Sequence, residues 1–151
     1  MTSTQIVWLV IGILVLEALI WIPIVIWMRR KSAVMIQETK DSIMLSGEHI
    51  LIGPESILFR KPMFGRFGVV GGNAMATLTE KRLIIAPLAG SKIEIPLPDI
   101  AEVKESKWFR GSARGGYTHV ILKLQDGREF ALLVKDPERW MEGLQQVTSK
   151  E

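Results

Sequence analysis

Side chains able to do chemistry are few in this chain. It has no cysteine and two histidines, His49 and His119. Without thiols there are no disulfides, thiolate metal sites or thiol nucleophiles. The two histidines lie far apart in sequence, and neither has an identifiable nucleophile or metal-ligating companion. His119 alternates with apolar positions and is expected on the solvent face of its strand. Gly65, Gly68 and Gly71 recur every third residue, with Gly72 following. That spacing is neither G-x-G-x-x-G nor G-x-x-x-x-G-K, and no helix pattern follows it, so it is no nucleotide loop. The carboxylates are spread over turns and exposed faces. These features predict a protein that is not an enzyme and that holds no metal or cofactor.

Two stretches can instead bind. The first, Phe59 to Asn73, combines Arg60, Lys61 and Arg66 with Met63, Phe64 and Phe67 among glycines. Cations attract anionic headgroups at about 1 kcal/mol each, and exposed apolar side chains insert at the interface. The alternative is that these aromatics pack into the core and the glycines make turns. The second, Lys104 to Gly116, is basic and Gly-rich. Its Arg110 and Arg114 can hold a phosphate or a carboxylate through paired donors, or be solvated charges on a mobile loop. The net charge of +3 is mild, so no nucleic-acid partner is expected.

One more ionisable residue needs a reason, and it lies in the element that positions everything else. Ile6 to Met28 is almost wholly apolar, with Glu17 near its middle. As a helix this run extends about 34 Å, enough for a hydrocarbon core of about 30 Å. An acid at the centre of such a helix costs about 2.5–3.5 kcal/mol on insertion scales. The neighbours of Glu17 three and four residues away are Ile13, Leu14, Ile20 and Trp21, so its own helix offers it nothing polar. Either the anchor tolerates the acid, or the partner comes from another subunit, a second copy or a different membrane protein. Every Lys and Arg follows residue 28, beginning with Arg29-Arg30-Lys31. The flanking charge predicts a retained single-pass anchor, with the N-terminus outside and the rest cytoplasmic. Trp8 and Trp27 sit near its two ends, where indoles favour the headgroup region. The absence of cysteine and the simple plan suit a prokaryotic inner membrane.

Lys31 to Ser46 has no Pro or Gly, so the helix is expected to continue to about Gly47. After that the pattern changes to short strands: Ile57–Arg60, Ala74–Thr79, Arg82–Leu88, Lys92–Leu97, Ile100–Lys107 and Thr118–Gln125. A seventh places Phe130, Leu132 and Val134 inward after an Asp126-Gly127 hairpin. Asp136-Pro137 reads as a helix start, followed by Trp140, Leu144 and Val147 on one stripe. The expected class is α+β: a seven-stranded antiparallel barrel or sandwich capped by a C-terminal helix. The predicted organisation is 1–30 for the N-terminal segment and anchor (about 6–28), 31–46 for a juxtamembrane helix, and 47–151 for one folded domain.

The run Ala76-Thr77-Leu78-Thr79-Glu80-Lys81-Arg82-Leu83-Ile84-Ile85 resembles the L-T-x-x-R-L-I signature of GRAM and related pleckstrin-homology-like domains. Ile95-Pro96-Leu97-Pro98-Asp99-Ile100, the Asp126-Gly127 hairpin, the Asp136-Pro137 helix start and the opening Gly47-Glu48 fit the same resemblance. It spans about Gly47 to Val147. It implies a PH-like, GRAM-like fold, and headgroup contacts in the loop that follows the first strand. Two functions are therefore expected. One is a membrane-anchored module that docks protein partners or serves a membrane assembly. The other is a sensor of anionic lipid, reading membrane lipids through Arg60, Lys61 and Arg66 with Arg110 and Arg114.

Overall fold

The computed structural model describes residues 3–62, 69–111, 113 and 115–148. It divides into two compact units, Met1–Val34 and Met35–Glu151.

The first unit is the N-terminal part of helix α1, Ser3–Ser46, which continues through Pro23. Among the described residues it is the one helix long and apolar enough to cross a membrane. Its apolar side chains from Ile6 to Trp27 are exposed, as expected of a surface whose solvent is lipid. The Lys31 ammonium sits 5.0 Å from the centre of the Trp27 ring. A cation on an indole face is attracted by its quadrupole, and both groups suit a headgroup layer.

The second unit opens with the last turns of α1. Thr39 and Ile43 are buried there, which a lone helix cannot achieve, so these turns belong to the folded domain. The helix ends where expected. Gly47 takes a left-handed φ of 65°. Its N–H bonds to the Met44 carbonyl, and that of Glu48 to the Ile43 carbonyl. This is the paired bond pattern of a glycine C-cap.

Seven strands follow: β1 Ile50–Pro62, β2 Val69–Thr79, β3 Arg82–Pro87, β4 Ile93–Pro96, β5 Ile100–Ser106, β6 His119–Leu124 and β7 Glu129–Leu133. Helix α2, Pro137–Thr148, closes the domain. The strands form one antiparallel sheet in the order β4-β3-β2-β1-β7-β6-β5. Both meanders are local hairpins, and β1 joins them by pairing with β7. The sheet is open, because β4 and β5 are not hydrogen-bonded to each other. Yet Ile95 on one edge strand and Ile100 on the other share one core with Leu78, Leu122, Leu132 and Trp140. The sheet therefore curls around a single apolar interior.

Helix α2 fills that interior. Trp140 and Leu144 are fully buried, and Val147 packs against the same cluster. Burying a large apolar side chain contributes about 1.5–3 kcal/mol, so this stripe holds the helix more firmly than its polar bonds do. Gly143 permits the approach: a Cβ there would lie 2.6 Å from Ile52 Cδ1. Asp136 caps the helix, its carboxylate accepting the Arg139 N–H at 3.1 Å.

Candidate functional site

The residues singled out by type and spacing separate into three places. Glu17 is exposed on α1. Among the described residues no side chain is hydrogen-bonded to it or paired with it. Met63, Phe64, Arg66, Phe67 and Arg114 lie outside the described residues. Arg60, Lys61 and Arg110 are on the folded domain, but they do not converge.

Lys61 and Arg110 do meet. They line a cleft of about 350 Å³ with Arg128 and Glu129, over an apolar floor of Pro62, Ile93 and Phe130. Antiparallel pairing puts the end of β1 beside the start of β7, which brings the β6–β7 turn to the same rim. Arg110 arrives from the opposite direction, on the long segment between β5 and β6. It holds a left-handed φ of 46°, uncommon for a residue with a Cβ. Its guanidinium donates from Nε and Nη2 to one Glu129 oxygen, at 3.2 and 3.0 Å. Arg128 is likewise tied to Asp126 at 2.6 Å. Two of the three cations thus face carboxylates of their own. Lys61 has no such carboxylate among the described residues. A larger cleft of about 610 Å³ lies beside α2, lined by one acid and one base, Glu80 and Lys81.

Arg60 points elsewhere, and its destination corrects an expectation. His119 is not on a solvent face; it is fully buried. The reason is Phe109, which lies across the outer face of the sheet and forms a second small apolar cluster with Ile121, Ala131 and Val69. The Phe109 and His119 rings are 6.4 Å apart. Arg60 Nη1 approaches His119 Nε2 at 3.5 Å, while Nδ1 lies 3.2 Å from the Ser106 carbonyl oxygen. A guanidinium only donates and a carbonyl only accepts. The ring is therefore neutral, with its proton on Nδ1. Burial pushes the imidazole below its ordinary range and Arg60 adds to that, against the opposing bond to Ser106. The cluster thus packs a neutral, buried imidazole against Phe109.

The residues of the signature meet in a way their spacing alone does not reveal. Glu48 and Arg82 form a two-pronged ion pair, Nη2 to Oε1 at 3.0 Å and Nε to Oε2 at 3.2 Å. Thr79 donates its hydroxyl to Glu48 at 2.8 Å and accepts the N–H of Arg82 at 3.0 Å. Arg82 also pairs with Glu94, and Lys92 with the same carboxylate. The G-E and L-T-x-x-R elements are thus two halves of one lock, joining the end of α1 to the β2–β3 hairpin. Opposite charges at a spacing of 34 residues in the chain are the signal that could have linked them.

Among the described residues no group of three His, Asp or Glu is placed to hold a metal ion. Compared with models of known protein families and with curated proteins, the sequence matches none. In three dimensions it is similar to the C-terminal domain of an unknown protein from Leishmania infantum, solved by crystallography. The two share 16% identity at a TM-score of 0.51, over 79% of this chain and 98% of that one. The likeness is one of fold.

Proposed function

We propose that the chain is a non-enzymatic, membrane-anchored interaction module that docks protein partners or serves as an accessory subunit of a membrane assembly. The observation that carries this reading is Glu17, a carboxyl group in the middle of the otherwise apolar, exposed run from Ile6 to Trp27. A group that costs a few kcal/mol in lipid is retained where a partner satisfies it. The seven antiparallel strands and the helix filling their core support a PH-like, GRAM-like domain. The lock between Gly47-Glu48 and the Thr79–Arg82 run supports it further. Such a fold hosts many functions, so function rests on the sites. The cations at Arg29, Arg30 and Lys31 support a cytoplasmic domain.

Purified in mild detergent, the full chain should have the mass of an oligomer or a complex. Glu17→Leu should lower that mass to the monomer. A clean monomer unaffected by the substitution sinks the reading.

The second reading, anionic-lipid sensing, draws on the cleft with Lys61, Arg110 and Arg128. Because Glu129 and Asp126 offset two of these cations, its pull on a headgroup is modest. In nanodiscs, anionic lipid should slow hydrogen exchange at the β1 end and the β6–β7 turn, and Lys61→Ala should remove that slowing. Equal exchange in neutral and anionic discs rules this out.

A further inference from the structure

The open sheet has two edges, and they are not equivalent. β4 is four residues long and ends in Pro96. Its Glu94 is held between Arg82 and Lys92. Short length, proline and charge are the usual devices that blunt an edge. β5 is seven residues long and has no proline. Among the described residues it pairs on one side with β6. Its other side carries no strand among the described residues and faces a groove whose far wall is Gln145 and Thr148 of α2. There the backbone offers N–H and C=O groups at strand spacing, which another extended backbone satisfies best.

The sequence of that edge is Ile100-Ala101-Glu102-Val103-Lys104-Glu105-Ser106. We propose that a second copy of this chain adds its own β5 here, antiparallel and centred on Val103. In that register Glu102 of each copy stands directly opposite Lys104 of the other, twice by symmetry. Directly opposed unlike charges favour a strand pair and like charges oppose it. Moving the centre to Lys104 would place Lys104 against itself, so charge selects one register. The faces agree as well. Glu102 and Lys104 are exposed, while Val103 packs on the core. The two Val103 side chains would lie on the core-facing side of the joined sheet. A two-fold axis through the Val103 pair makes the contact self-complementary and closed.

This inference deepens the proposed self-association by naming a surface on the folded domain, and its test separates the two. The chain has no cysteine, so introduced ones report unambiguously. Full-length Glu102→Cys and Lys104→Cys chains, co-expressed and oxidised in the membrane, should form a mixed disulfide. Each variant alone should crosslink several-fold less, since residues 102 and 102 are offset in this register.

Charge reversal supplies the energetic readout. Lys104→Glu should weaken crosslinking about ten-fold, and a Lys104→Glu chain should recover it when mixed with a Glu102→Lys chain. Lys104 lies opposite Ile121 within its own sheet, so its reversal creates no like-charge pair there. Mixed-disulfide yields no higher than those of the single variants, or no recovery in the charge-swapped mixture, overturn the proposal. An oligomeric mass without the crosslink removes the β5 contact and leaves the role of Glu17 standing. A crosslink that persists with Glu17→Leu, at unchanged mass, does the reverse.

Discussion

Trp140→Ala should destabilise the sheet domain by about 3–5 kcal/mol, a large share of the roughly 5–15 kcal/mol that holds a typical domain. The indole is fully buried, and it belongs to the cluster that unites both edges of the sheet. Truncation would leave a ring-sized void where β1, β2 and the C-terminal helix meet, and the curled sheet cannot collapse into it without losing its own pairing. The side chain also donates Nε1–H to Glu55 at 3.1 Å. Trp140→Phe keeps most of the volume and loses that bond, so it should cost only about 1–2 kcal/mol. Urea unfolding of the full chain in mild detergent, followed by the β-sheet signal, gives both values. Equal midpoints for wild type and Trp140→Ala would refute a central role for the residue.

Arg82→Ala should cost about 2–3 kcal/mol, because it leaves the Glu48 carboxylate buried without its cation. The Glu48 side chain is 7% exposed and that of Arg82 22%, so the pair is largely withdrawn from water. Burial pushes the Glu48 carboxyl up, but the bonds from Thr79, Arg82 and Ser46 together outweigh it and hold the group below its usual 4.5. Glu94 is also held low, chiefly by the bond from Lys92, with Arg82 contributing. A carboxylate depressed in the folded state adds stability that is complete above its unfolded pKa. That stability is lost as pH falls through the folded value. Wild type should therefore lose stability below about pH 4.5, and Arg82→Ala should show a shallower acid limb. Parallel limbs for the two proteins would refute the assignment.

Much of this architecture was legible because local pattern decided it. Ile93 and Ile95, Val120, Leu122 and Leu124, and Phe130 and Leu132 recur at every second position and lie on strands facing the core. Asp126-Gly127 makes its turn with Gly127 at a φ of 84°, and Asp136-Pro137 starts the last helix. Leu97, expected to end the fourth strand, is buried but sits in a 3₁₀ turn, Leu97–Asp99, because Pro98 cannot continue the ladder.

What escaped was non-local or broke the local rule. The first strand begins at Ile50, well before Ile57, since Gly53-Pro54 interrupts the strand signal while tertiary pairing carries the chain through with irregular register. His119 alternates as a solvent-facing residue should, and only the fold-back of Phe109 buries it. Arg128 was invisible as a cleft residue, because the chain itself gives no sign that the β6–β7 turn shares a rim with the end of β1. Lys61 and Arg110 were legible as cations, but the acid that offsets the arginine, Glu129, comes from another part of the chain.

The junction between α1 and β1 has a mechanical consequence. Only Gly47, Glu48 and His49 separate the helix from the first strand. Glu48 is bolted to the β2–β3 hairpin, and the Glu80 N–H is bonded to the His49 carbonyl. There is no slack tether here. A twist or pull delivered through the last turn of α1 reaches the hairpin through the Glu48–Arg82 ion pair. The joint thus behaves as a stiff coupling, seated on the buried Thr39 and Ile43 and continued through Glu48 to Arg82.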